Sequence, residues 1–145
     1  MEGTQVLKVV GDASVIVKWF VEEEYTDKAL KLRDMHVNGE VTIAAPELLP
    51  FEVLNALRHS NLFEKDELVN VAVSLSSYGI ELHSLRGRLA EEAVKIAVEK
   101  DITIYDSSYV ALAATLNTRL YTSDRKLIEK LGQEYKEVTI HVSRL

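Results

Sequence analysis

Cysteine is absent from the 145 residues, proline occurs twice and glycine six times. Without cysteine there is no disulfide framework, no thiolate zinc or iron–sulfur site and no cysteine nucleophile, which suits a reducing compartment. So little proline and glycine, with no serine-rich stretch, leaves no linker or internal boundary marked by composition. Long hydrophobic runs are missing too. The longest stretch free of Asp, Glu, Lys and Arg is Leu68 to Ile80, 13 residues, short of the roughly 18 that a membrane span needs. At the amino end Glu2 stands where a secretory signal would be basic, and Lys8, Asp12 and Lys18 interrupt the apolar stretch that follows. A cytoplasmic protein without a membrane span is the expectation.

A surplus of basic residues is also lacking. Lys and Arg number 17 against 23 Asp and Glu, a formal charge of −6. That balance weighs against non-specific nucleic-acid binding, which draws on a surplus of cations. The apolar fraction, 47%, is ample, and at this length folding buries about 68–70% of the chain's extended surface. Residues 1–145 therefore read as one folded domain.

Short β-branched or apolar runs alternate with stretches of helical spacing. Val6 to Val10, Val41 to Ala44, Gly79 to His83, Leu120 to Thr122 and Val138 to Val142 read as strands, apolar enough to be central. Between them, helices are expected around Val15 to Phe20, Ala29 to Met35, Leu49 to Leu57, Glu64 to Ser76, Arg86 to Lys100, Ser107 to Leu116 and Arg125 to Leu131. Pro46 is placed in the first turn of the third of these, where proline is tolerated. Strands separated by helices imply right-handed crossovers and a parallel sheet covered on both faces, so the fold class is α/β. Two helical segments precede the second strand and two precede the third, which suggests helical hairpins projecting from the sheet.

In an open parallel sheet, reactive groups gather beyond the carboxyl ends of the strands. Asp12 ends the first apolar run and Asp124 follows the fourth strand. Asp106 ends the short apolar segment Ile102 to Tyr105 as a helix begins. A fourth acid, Glu52, lies on the apolar stripe of its helix among Phe51, Val53 and Leu54. Singly, each has an ordinary explanation: Asp12 and Asp106 as N-caps, Asp124 as a first-turn acid behind a Ser123 or Thr122 cap, Glu52 as a displaced helix start. Four carboxylates meeting in one crevice would instead repel one another and favour a cation. Oxygen ligands with no Cys and no paired His select a hard divalent ion, Mg²⁺ or Mn²⁺ before Zn²⁺.

The segments carrying these acids resemble the four motifs of PIN-domain ribonucleases, and in wording the VapC-type toxins of VapBC toxin–antitoxin pairs. Val9 to Trp19 is similar to the first motif, Pro46 to Leu57 to the second, Ile104 to Ala113 to the third and Leu120 to Leu127 to the fourth, in order and at family spacing. One departure is Gly11, where many members carry an apolar or β-branched residue, which bears on strand packing. The resemblance implies a three-layer α/β/α fold with a parallel sheet of about five strands, and an Mg²⁺ or Mn²⁺ site made by Asp12, Glu52, Asp106 and Asp124. It implies hydrolysis of RNA phosphodiester bonds by a metal-dependent endoribonuclease, the toxin of a type II pair, with a small VapB-like antitoxin and a homodimer as partners. Ser14 and Thr122 are candidate hydroxyls for orienting carboxylates, and Asn55 shares the helix face of Glu52. Each also has a plain alternative as a cap or an exposed amide.

Two other functions remain on the sequence alone: a receiver-like Mg²⁺-binding signalling domain and a non-catalytic PIN-like scaffold for protein contacts. A receiver needs a second acid beside the first-strand Asp, whereas Gly11 and Ala13 flank Asp12. All four acids being present counts against a scaffold. His36, His59, His83 and His141 show no ligand spacing and read as surface or strand-end residues. Arg119, Arg125, Lys126 and Lys130 form a local basic cluster beside Asp124, a candidate for phosphate contacts.

Overall fold

Every expected strand is found and pairs in parallel. The computed structural model describes residues 6–145; residues 1–5, Glu2 among them, lie outside the described part. The described elements run β1 (Leu7–Gly11), α1 (Ala13–Ile16), α2 (Thr26–Val37), β2 (Val41–Pro46), α3 (Leu49–His59), α4 (Lys65–Ser77) and β3 (Glu81–His83). They continue with α5 (Gly87–Lys100), α6 (Ile104–Thr115), β4 (Leu120–Thr122), α7 (Arg125–Leu131) and β5 (Thr139–His141). The strand order is β3-β2-β1-β4-β5. Val10 of β1 faces Ala44 of β2 on one side and Leu120 of β4 on the other.

Consecutive residues of the central strands are buried, Val9 and Val10 in β1 and Ile43, Ala44 and Ala45 in β2. Neighbours on a strand point to opposite faces, so both faces of the sheet are covered and the architecture is three layers. Helix α6 is the most deeply packed element, with Ser107 to Ala113 buried without a break. Small Ser and Ala side chains let its backbone approach the sheet. The two buried hydroxyls are satisfied locally, Ser107 donating to the Ile104 carbonyl at 3.1 Å and Ser108 to the Tyr105 carbonyl at 2.7 Å.

Three local expectations are corrected. Pro46 closes β2, and the proline in the first turn of α3 is Pro50. The first helical pair is no hairpin: α1 is a single turn that runs into the 3₁₀ turn Val17–Trp19, pinned by the Trp19 indole donating to the Ala29 carbonyl at 2.9 Å. His36 is half-buried in the last turn of α2, away from any strand end. Its Nδ1 accepts from the Ile43 amide at 3.0 Å and its Nε2 lies 2.6 Å from the Tyr78 carbonyl, so the neutral ring with its proton on Nε2 ties α2 to β2 and to the end of α4.

This strand order also bears on function. Chain direction across the sheet reverses between β1 and β4, opening a crevice at their carboxyl ends. Receiver-like domains have the order 2-1-3-4-5 and reverse between their first and third strands, so the topology is not theirs.

Candidate active site

Asp12 leaves β1 at that crevice. Its amide donates to the Tyr121 carbonyl of β4 at 3.3 Å, and it caps α1 through Oδ1, which accepts from the Val15 amide at 3.3 Å and from Ser14 Oγ at 2.5 Å. Only 8% of Asp12 is exposed. Burial pushes its carboxyl up from 3.8 to about 6; the hydroxyls of Ser14 and Thr122 and the Val15 amide pull the other way, and the Asp124 charge adds to the rise.

Asp124 follows β4. It is itself the N-cap of α7, accepting from the Leu127 amide at 3.1 Å, where the sequence suggested a first-turn acid behind another cap. Thr122 holds the approach, its hydroxyl accepting from the Asp124 amide at 3.0 Å and lying 3.5 Å from Ser14 Oγ. Ser14 Oγ also accepts from the Ser123 amide at 2.9 Å. Ser14 and Thr122 thus bridge the ends of β1 and β4, joining Asp12 to Asp124 through a continuous set of hydrogen bonds.

Asp106 is not a cap. Helix α6 begins at Ile104, and Thr103 caps it by accepting from the Asp106 amide at 3.0 Å. The carboxyl of Asp106 sits in the first turn, half-buried, and is pushed up by burial and then by the Asp124 charge, against the Thr103 hydrogen bond. Glu52, in the first turn of α3, is also half-buried. Its carboxyl is raised by burial and by the Asp106 charge, and drawn down by the hydrogen bond from Tyr109. Its surroundings differ from those expected: Val53 is buried, while Phe51 is 78% exposed.

Tyr109 was not singled out from sequence. It is 2% exposed, and its hydroxyl donates to Glu52 Oε1 at 2.6 Å. Its phenol is pushed up by burial first, then by the Glu52 hydrogen bond and charge and by the charges of Asp12 and Asp106. The available sequence signal was its position three residues after Asp106, on the same face of α6. Asn55 is exposed on α3 and lines a groove with Phe51, Leu54, Arg58 and Tyr105; it shares no hydrogen bond with a site carboxylate among the described residues.

The Asp124 charge acts on Asp12 and on Asp106, and the Asp106 charge acts on Glu52, so the four acids form a chain of neighbouring charges. Among the described residues no Lys, Arg or His forms an ion pair with any of them. Nor, among those residues, do three acid or imidazole side chains close tightly enough on one point to enclose an ion. One oxygen of Asp12, of Asp124 and of Glu52 is nevertheless committed to a protein hydrogen bond, which sets the orientation of each carboxylate. An oxygen-only donor set, with the carboxyls of Asp12, Glu52 and Asp106 raised and no internal cation among the described residues, fits a hard divalent ion.

The model of the PIN domain family matches residues 9–132. This chain belongs to the PIN domain family. Over 129 residues it is 32% identical to Ribonuclease VapC3 of Pyrobaculum aerophilum, covering 86% of this chain and 95% of that protein. Among solved structures it is similar to PAE2754 of Pyrobaculum aerophilum, with TM-score 0.65 and 23% identity over 95% of this chain and 85% of that one. A toxin-antitoxin complex from Klebsiella pneumoniae matches with TM-score 0.64 and 13% identity over 92% of this chain and 97% of that one. At those identities the structural likeness is one of fold. PIN-domain ribonucleases are generally dependent on divalent metals. Among the described residues no helix is long and apolar enough to cross a membrane.

Proposed function

We propose that this PIN domain is a metal-dependent endoribonuclease, acting as the toxin of a toxin–antitoxin pair. The observation that carries the proposal is the buried Asp12 at the β1/β4 crevice, linked to Asp124 through Ser14 and Thr122, with Glu52 and Asp106 gathered with it around Tyr109 and, among the described residues, no ion-pairing cation. The relative named a ribonuclease and the neighbour named a toxin-antitoxin complex support the substrate and partner classes. A small VapB-like antitoxin would block the crevice, and a homodimer would be the assembled state.

Asp12, Glu52, Asp106 and Asp124 would hold Mg²⁺ or Mn²⁺, in keeping with their hard oxygen ligands. Such an ion lowers the pKa of bound water and stabilises charge on phosphoryl oxygens. The chain's own part is to orient the carboxylates. Ser14 and the Val15 amide fix Oδ1 of Asp12, the Leu127 amide fixes Oδ1 of Asp124, and Tyr109 fixes Oε1 of Glu52. A carboxyl raised towards neutrality also suits the removal of a proton from an attacking water.

The test is cleavage of a structured RNA by the purified chain with Mn²⁺, halted by chelator and restored by added metal. Asp106→Asn is expected to abolish cleavage while keeping the fold, because Thr103 caps α6. Cleavage that survives in Asp106→Asn, or persists in excess chelator, would overturn the proposal.

A further inference from the structure

The negative crevice poses an electrostatic problem for a polyanionic strand, since uncompensated carboxylates repel phosphates and net charge gives no general attraction. A second groove bears on it. It has a volume of about 540 Å³ and opens between α7 and the carboxyl end of β5, with Arg125, Glu129, Lys136, His141 and Arg144 in its walls. Arg125, Lys136 and Arg144 are exposed, and among the described residues none of them is in an ion pair. Three cations against one acid, in a chain of charge −6, make this a local reversal of sign.

The groove adjoins the residues that carry Asp124. Arg125 directly follows Asp124, and His141 in the groove wall is the register partner of Thr122, which holds the Asp124 amide. Arg125 is placed by a 3.3 Å hydrogen bond from Nη2 to the Tyr25 hydroxyl, and the Tyr25 ring stands edge-on to His141 at 5.2 Å. The basic cluster expected from sequence is thereby redrawn. Lys130 is turned to the Asp101 carbonyl at 2.9 Å, and Arg119 lines a different groove with Leu7, Val9 and Tyr121. Lys136 and Arg144 take their place.

We propose that this groove carries the phosphodiester backbone of the RNA strand as it leads into the acid crevice, with Arg125, Lys136 and Arg144 contacting phosphates. The inference rests on the ribonuclease reading. Unpaired cations recruit an anionic strand locally while the acids stay available to an ion, so docking and chemistry sit on adjoining surfaces of opposite sign.

The experiment compares the full chain with its Lys136→Gln/Arg144→Gln variant, using a labelled single-stranded RNA oligonucleotide. Binding is followed by fluorescence anisotropy in chelator from 50 to 300 mM salt, and cleavage is followed separately with Mn²⁺. The expected result is a loss of at least about tenfold in affinity, a salt slope shallower by about 0.7 per contact removed, and a raised KM with little change in kcat. A control of equal charge change, Lys31→Gln/Lys65→Gln, is expected to leave all three near wild type. An unchanged Kd and slope in the groove variant would overturn the proposal, as would an equal loss in the control. A groove variant that cleaves with unchanged KM but sediments at lower mass would assign the groove to a second copy of the chain; one that loses only an antitoxin would assign it to a protein. A wild-type chain that binds RNA but does not cleave it would overturn the ribonuclease reading and leave the groove standing.

Discussion

The Tyr109 hydroxyl reaches across from α6 to Glu52 on α3, donating to Oε1 at 2.6 Å. Tyr109 is buried and Glu52 half-buried, so the bond fixes the carboxylate more firmly than a fully exposed pair would. It also leaves the other oxygen of Glu52 as the one able to meet an ion.

Tyr109→Phe keeps the ring and removes only this donor. Mn²⁺ affinity is expected to fall about 10–100-fold, the usual cost of losing a hydrogen bond behind a metal ligand, with little change in the metal-free melting temperature. Titration of Mn²⁺ by calorimetry reads the first and thermal unfolding in chelator reads the second. A lowered melting temperature with unchanged affinity would make the bond a strut between helices.

The Asp12 carboxyl gives the metal-free protein a pH signature. It titrates at 3.8 ordinarily and at about 6 in the fold, so the folded state holds the proton more tightly. Its contribution is therefore most favourable below pH 4 and is lost as pH rises through 6, by about 3 kcal/mol in all. Denaturant unfolding in chelator at pH 4.5 and 7 is expected to show that component, and Asp12→Asn to remove it. At pH 7, Mn²⁺ at a hundredfold excess over its Kd is expected to stabilise wild type by about 2.7 kcal/mol and Asp12→Asn by much less. Equal stabilisation of the two would place the ion elsewhere.

Gly11 concerns packing alone. A Cβ there would meet Ile16 Cδ1 at 3.5 Å, Ile43 Cγ2 at 3.7 Å and Leu32 Cδ2 at 3.9 Å, all ordinary contacts. Gly11→Ala is expected to raise stability by about 0.5–1 kcal/mol through the lower entropy of the unfolded chain, with cleavage retained. Chemical denaturation checks this, and a lowered midpoint would show that the end of β1 has no room.

Much of the architecture was legible because it depends on local pattern. β-Branched runs such as Val41 to Ala44 can satisfy their backbone and bury both faces only in a central parallel strand. Gly132, at φ +70, follows α7 as a helix stop should. The start of α6 was not legible: Ile102 to Tyr105 has strand-like composition, yet Ile104 and Tyr105 form the exposed first turn of the helix, which Thr103 caps. Propensity yields here to the burial of seven successive residues of α6.

The site divides in the same way. Its four acids stand out along the chain because each follows an apolar run or interrupts an apolar stripe, and the excess of acid is visible in a charge of −6. Setting those four aside leaves 19 acids against 17 bases, so the acidity weighs little against an RNA substrate. Which hydroxyl serves which carboxylate, and which cations stand free beside them, follows only from the fold. Tyr109 lies 57 residues from Glu52 and Ser14 lies 109 from Ser123. Contacts across such distances are made by the crossing of strands and helices, whereas local sequence sets only which residues are available to make them.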